Sequence, residues 1–274
     1  MKKKRSGKKN FLNQWNRIRP ELKDSRLCLF LDFDGTLTPI RKHPRMVKLS
    51  TGTRRVLQEL AADRGVYVAI VSGRDLGEVR KLVGVKDLVY VGNHGFEAKG
   101  PKFSFAVPGA LKAKGTMKEI SRKLQEAFKP FKGVYIEDKG LSLSVHFRMV
   151  KKKRDLAEVK MLFGSVIVPY KFRSQIRVTP GKKVWEIRPP VDWDKGTMVL
   201  RLLDGQKKKA RKKITPFYIG DDRTDEDVFK RMGKDAYTIR VGSGKKQTSA
   251  RYYLKNVTEV KALLRKVLVL RKEA

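Results

Sequence analysis

Cysteine is nearly absent: Cys28 is the only one in 274 residues, which excludes an internal disulfide framework and a thiolate zinc cluster. It lies within an apolar run, where a free thiol acts as a small buried hydrophobe. Long hydrophobic stretches are also missing, so no segment is suited to cross a bilayer. The basic stretch Met1 to Lys9 is followed by no apolar segment of the kind a secretory leader needs. The expectation is a soluble, cytoplasmic protein with no membrane attachment. Negative charge is scarce too. Asp and Glu number 28 against 65 Lys and Arg, a formal net charge of +37. A field of that sign attracts anions in general and says nothing about fold.

The positive charge is spread along the chain in the runs Lys2 to Arg5, Lys151 to Arg154, Lys207 to Lys213, and Lys245-Lys246. A nucleic-acid module would gather it on one face with aromatics between. These runs read as solvated surface, and no dedicated nucleic-acid partner is expected.

Hydrophobic residues make up 40% of the chain, enough to bury a core. Residues 1 to about 10 read as a mobile basic tail, followed by a helix over Phe11 to Arg19 that Pro20 ends. Leu27 to Leu31 and Val66 to Val71 are short apolar runs suited to strands buried on both faces. Between them, Ser50 to Ala61 reads as an amphipathic helix with Ser50 as its N-cap. A helix beginning at Asp75 and a strand over Leu88 to Val91 continue the alternation. It returns late in a helix over Thr197 to Leu203, strands over Phe217 to Ile219 and Ala236 to Val241, and a final helix over Val257 to Val269. This grammar predicts an α/β, doubly wound parallel sheet. The middle differs: helices over Lys114 to Phe128 and Lys152 to Phe163, and strands over Ser142 to Arg148, Gln175 to Thr179 and Lys183 to Ile187. The expected division is a tail and N-terminal helix over 1–20, a core over 21–104 and 186–274, and an inserted α+β module over 105–185.

Ligands of open parallel sheets bind beyond the carboxyl ends of the strands. Three strand ends carry polar residues there: Asp32 and Asp34, then Ser72, then Asp221 and Asp222, with Lys195 opening a helix between the last two. Carboxylates forced together repel unless a cation sits among them, and hard oxygen ligands favour Mg²⁺. Such a group suits phosphoryl transfer. Asp32 would attack phosphorus and form an aspartyl phosphate, and Asp34 would serve as acid and base. Ser72 and Lys195 would hold phosphoryl oxygens. Asp32, Asp34, Asp221 and Asp222 are the expected metal ligands, with Asp225 a ligand or an orienting residue.

The string Asp32-Phe33-Asp34-Gly35-Thr36 resembles the DxDGT signature of haloacid dehalogenase superfamily phosphatases. Val71-Ser72-Gly73-Arg74, Lys195 and Gly220-Asp221-Asp222 resemble the remaining motifs in the right order. Gly92-Asn93-His94-Gly95, Glu137-Asp138-Lys139, Ser142 to Arg148, Trp185 to Pro189 and the string at 220–229 are similar to trehalose-6-phosphate phosphatases. The resemblance runs from about residue 25 to 265. It implies a Rossmann-like core, a cap that closes over the sugar, and Mg²⁺-dependent hydrolysis of trehalose 6-phosphate. It also implies disaccharide contacts by Glu137, Lys139, His146 and Arg148, with Asn93, His94 and Glu186 at the hinge side. Arg74 would bind phosphate or cap a helix. Trp185 reads as packing, and Glu226 and Asp227 as helix-start acids. Lacking a glucosyltransferase domain, the chain is expected to work beside a separate trehalose-phosphate synthase. The alternatives are another sugar phosphate, such as sucrose phosphate or a glycosyl phosphoglycerate, or a basic protein that binds nucleic acid or membrane.

Overall fold

In the computed structural model, residues 8–41, 43–181, 183–244 and 247–273 are described; the Lys2 to Arg5 and Lys245-Lys246 runs lie outside them. The chain opens with β1 (Lys9–Asn10), α1 (Trp15–Lys23), β2 (Arg26–Asp32), α2 (Thr51–Ala62), β3 (Val66–Val71), α3 (Leu76–Val83) and β4 (Val89–Gly92). β5 (Glu97–Gly100) and β6 (Phe103–Ala106) follow. Next come α4 (Pro108–Lys112), α5 (Lys114–Phe128), β7 (Tyr135–Asp138), β8 (Leu143–His146), α6 (Lys153–Phe172), β9 (Arg177–Gly181) and β10 (Val184–Arg188). The chain ends with α7 (Lys195–Lys207), β11 (Ile214–Gly220), α8 (Arg223–Arg231), β12 (Tyr237–Val241), β13 (Tyr252–Leu254) and α9 (Val257–Lys272). Two compact units result, Met1–Phe105 with Trp193–Ala274, and Ala106–Asp192.

The first unit holds a nine-stranded sheet ordered β1-β13-β12-β11-β2-β3-β4-β5-β6. It is parallel from β1 to β4 and turns antiparallel at β5. Alternation along each strand supplies two cores. Leu27, Leu29 and Leu31 of β2 join one that includes α1, α2, α3 and α9, while Cys28 and Phe30 join the other with α7 and α8. Apolar burial on both faces is why these strands are continuous apolar runs. Cys28 is fully buried, and burial pushes its thiol pKa up to about 12, as befits an inert packing residue. The order reverses at β2, which pairs with β3 on one side and with the late strand β11 on the other. That switch point is where a doubly wound sheet opens a crevice.

The second unit pairs an antiparallel sheet, β7-β8-β10-β9, with α5 and α6. Leu143, Val145 and Ile187 face the helices. Trp185 stacks on Phe163 with ring centroids 4.0 Å apart, so it is a packing residue.

Some expectations change. Lys9 and Asn10 pair with β13 rather than continuing a basic tail, and Asn10 is tied to Glu259 at 2.8 Å. Pro20 lies inside α1, because burial of Trp15, Ile18 and Leu22 on one face outweighs the amide it removes. In the same way α6 runs past Phe163 and through Pro169 to Phe172, with Ile167 and Tyr170 buried. β5 and β6 have no sequence signature of a strand, since neither carries an apolar run. Among the described residues no helix is long and apolar enough to cross a membrane.

Candidate active site

Asp32 closes β2 and Gly220 closes β11, its partner in the sheet, so Asp32 and Asp221 emerge side by side at the switch point. The turn after β2 is sterically committed to this meeting. Gly35 has φ +87°, and a Cβ there would stand 2.3 Å from an Asp221 carboxylate oxygen. Any side chain at 35 would drive the two motifs apart.

Lys195 enters from the first turn of α7, whose N-cap is Asp194. Its side chain is 3% exposed, and the ammonium donates to Asp32 Oδ1 at 2.8 Å and Asp225 Oδ1 at 3.0 Å. Asp225, fully buried, also accepts from the Tyr218 hydroxyl at 2.7 Å and from the Asp221 and Asp222 amides at 2.9 and 3.0 Å. Asp225 is therefore the hub that shapes the loop bearing Asp221. The sequence leaves its role open between ligand and orienting residue and marks Tyr218 only as part of a strand. The signal for Asp225 was its spacing: four residues after Asp221, it falls in the first turn of the next helix. Nothing in the pattern distinguishes Tyr218 from a core aromatic.

Burial pushes Asp32 well above the ordinary carboxylate range, with Lys195 opposing and Asp225 and Asp221 adding to the shift. Asp221 is pushed up to about 7, first by burial and then by the charges of Asp225 and Asp222. Asp225 rises to about 6 through burial, against the pull of Lys195. Burial also lowers the tendency of Lys195 to hold its proton, but Asp225 and Asp32 more than reverse this, and its pKa is raised. One cation thus faces three crowded acids. Carboxylate oxygens of Asp32, Asp221 and Asp225 lie within 4.8 Å of one another. Asp221 Oδ1 is buried with no hydrogen-bond partner among the described residues. An orphaned buried oxygen in an acid cluster fits a hard divalent cation.

Not every expected ligand joins that cluster. Asp222 caps α8, accepting from the Thr224 and Asp225 amides at 2.8 and 3.1 Å. Burial works to raise its pKa, yet Lys195 and the Thr224 hydrogen bond leave it at about 2. Asp34 is gripped by Arg74, with Nε to Oδ2 at 2.6 Å and Nη2 to Oδ1 at 2.9 Å. Arg74 also donates to Glu78 at 2.5 Å and to the Pro44 carbonyl at 3.2 Å. Ser72, buried at the end of β3, accepts from the Arg74 amide at 3.1 Å. Asn93 and His94 sit just past β4 at φ 48° and 56°, a conformation held by their backbone N–H groups donating to the Arg74 and Ser72 carbonyls at 2.7 and 3.1 Å. Glu226 pairs with Arg240 at 2.7 Å, and Arg240 also reaches the Asp221 carbonyl at 3.1 Å, so this acid braces the loop.

In the second unit, register places Glu137 opposite Ser144 and Ser144 opposite Glu186, on the sheet face away from its core. Ser144 Oγ lies 2.9 Å from both Glu186 oxygens. Lys139 Nζ is 3.5 Å from Glu186 and 4.0 Å from Glu137, and His146 Nε2 is 3.1 Å from Glu137. Glu186 therefore belongs to this polar cluster rather than to a hinge. Ser144 joins it, and its alternation with His146 on β8 was the overlooked signal. Arg148 lies in the exposed turn that follows.

Burial raises the Glu137 pKa, but Lys139 and His146 outweigh it and hold it below the ordinary 4.5. A depressed carboxylate adds stability above its unfolded pKa, and that stability is lost as pH falls through the folded one. Acid titration of thermal unfolding from pH 7 to 3 is expected to destabilise wild type more steeply than Glu137→Gln. Parallel curves would contradict this assignment.

The trehalose-phosphatase family model matches residues 30–258. Trehalose-phosphate phosphatase B of Arabidopsis thaliana is 34% identical over 270 residues, covering 94% of this chain and 70% of the relative. The trehalose-phosphate phosphatase of Mycobacterium tuberculosis is 35% identical over 237 residues, and this chain covers 59% of its length. The solved trehalose-6-phosphate phosphatase C-terminal domain of C. albicans superposes with TM-score 0.73 at 25% identity, covering 92% of this chain and 96% of that one.

Proposed function

The chain belongs to the trehalose-phosphatase family, and from that premise we propose that it hydrolyses trehalose 6-phosphate to trehalose and inorganic phosphate through a phosphorylated Asp32. The supporting observation is the convergence of Asp32, Lys195, Asp221 and Asp225 at the sheet's switch point. A divalent cation, which we take to be Mg²⁺, would be held by Asp32 and Asp221 with Asp225 behind them, and would offset the negative charge of phosphate and carboxylates. Asp32, oriented by the Lys195 ammonium, forms the new bond to phosphorus as the bond to the sugar oxygen breaks. Lys195 and the Ser72 hydroxyl hold phosphoryl oxygens while charge redistributes. Asp34 gives a proton to the departing sugar oxygen and takes one from the water that hydrolyses the acyl phosphate. Arg74 must yield one Asp34 oxygen for this work, and its contact with Glu78 gives it a partner to keep.

The polar cluster of Glu137, Lys139, Ser144, His146 and Glu186 suits a polyhydroxylated ligand, because it offers donors and acceptors in one place. A site built to hydrogen-bond hydroxyls rejects analogues that lack them. Phosphate release from trehalose 6-phosphate is expected to exceed that from sucrose 6-phosphate and glucose 6-phosphate by at least about tenfold. Equal rates across the panel would refute the substrate. Glu137→Ala should lower kcat/KM for trehalose 6-phosphate by about tenfold or more while changing turnover of a small aryl phosphate little. Equal loss on both would remove the cluster from substrate binding.

The metal assignment has its own readout. Excess chelator should abolish turnover, and Mg²⁺ should restore it. Independently of activity, Mg²⁺ at about 100 times its Kd should stabilise the fold by about 2.7 kcal/mol, seen as a raised thermal midpoint. Asp221→Asn should remove that rise, and an undiminished rise would exclude Asp221 from the metal.

A further inference from the structure

β2 enters the sheet at Arg26 and leaves it at Asp32, so at about 3.3 Å per residue its ends lie about 20 Å apart. From the Arg26 end, a cavity of about 1040 Å³ runs beside α7 to Trp193 and Thr197. That is ample for a metabolite, since ligand sites commonly measure about 300–1,000 Å³. Arg26 lines it, and the Arg26 Nε is buried with no hydrogen-bond partner among the described residues. A guanidinium N–H buried without a partner is a standing cost, which an anion drawn onto the same guanidinium by a small side-chain adjustment would offset. The rim adds Lys102, Arg201, Lys208 and Lys209 against Asp87 and Asp204. Lys208 and Lys209 belong to the basic run 207–213, which the catalytic reading leaves without a use. Tyr67, Phe103 and Trp193 contribute half-buried aromatic surface.

We propose that this cavity is a second ligand site for an aromatic anion, with the acidic group on Arg26 and the planar body against Tyr67 and Phe103. An Arg fork favours phosphate or sulfonate oxygens, and the aromatic walls favour a flat ring over a bare sugar. The site is independent of the phosphatase reading and stands whether or not that reading holds.

The probe is 8-anilino-1-naphthalenesulfonate, followed by fluorescence titration on the full chain at physiological salt. One saturable site is expected, displaced by AMP but not by adenosine or trehalose 6-phosphate. Arg26→Met should weaken dye affinity at least tenfold. Gly205 lines the cavity from α7, and a side chain there would meet open space, with nothing within 4 Å of its Cβ. Gly205→Trp should therefore fill the cavity and abolish binding without harming the helix, where glycine is a poor former. If Arg26→Met does not fold, Gly205→Trp decides alone. Absence of a saturable site, failure of AMP to displace the dye, displacement by adenosine or trehalose 6-phosphate, or wild-type affinity in a folded variant would each overturn the proposal.

Discussion

Asp32→Asn is expected to lose about four to six orders of magnitude in turnover while remaining folded. The amide keeps the volume of the carboxyl and still offers Lys195 an oxygen to replace the 2.8 Å contact. It removes the anionic oxygen on which the proposed acyl phosphate depends. Lys195 keeps Asp225 as a charged partner at 3.0 Å, so the variant should shift unfolding by about 1 kcal/mol or less. Acid-quenched wild type incubated with substrate should carry a covalent phosphate, read as an intact-mass increment, and the variant should carry none. If Asp32→Asn keeps activity within tenfold of wild type, direct attack by water replaces the covalent route.

Lys195→Met is expected to have the largest effect on stability. The ammonium is the cation between two carboxylates, both buried to 6% side-chain exposure or less. Removing it leaves uncompensated charge in a low-dielectric interior, and breaking a buried pair in this way typically costs about 3–5 kcal/mol. Methionine fills the same space, so the loss measured by denaturant titration reports electrostatics rather than a cavity. Asp225→Asn in the same chain should recover part of it, because the two changes share one contact and couple. Strict additivity would mean that the Lys195–Asp225 contact at 3.0 Å contributes nothing measurable. Activity should fall with stability in Lys195→Met and stay low in the double variant, because in the proposed mechanism this ammonium holds the phosphoryl oxygens.

The two experiments separate the parts of the site. On the proposed mechanism Asp32 would carry chemistry at little structural expense, whereas Lys195 would serve both chemistry and fold. Asp225 would be a positioning residue: Lys195 and Tyr218 hold its carboxylate, which accepts the Asp221 and Asp222 amides and so fixes their loop.

The strands that bear the site announced themselves in sequence because a strand covered on both faces must be apolar throughout. Runs such as Leu27 to Leu31 and Val66 to Val71 therefore break visibly where polar chemistry begins. The same contrast exposed Asp32, Ser72 and Asp221, and helix caps such as Ser50 and Asp75 followed from local hydrogen bonding. Partnership was a different matter. That Asp34 belongs to Arg74, that Asp222 caps a helix while Asp221 faces the acid cluster, and that Glu186 joins Glu137 across β8 depend on chain crossings 40 or more residues apart in two of the three cases. No local period encodes such distances. Pro20 and Pro169 stayed helical for a related reason: burial of distant partners overruled a local preference. Sequence alone determined which residue types stood at the strand ends, since burial imposes that pattern one residue at a time. Only the tertiary structure decided which of those residues face one another, since that depends on which strands and helices pack as neighbours.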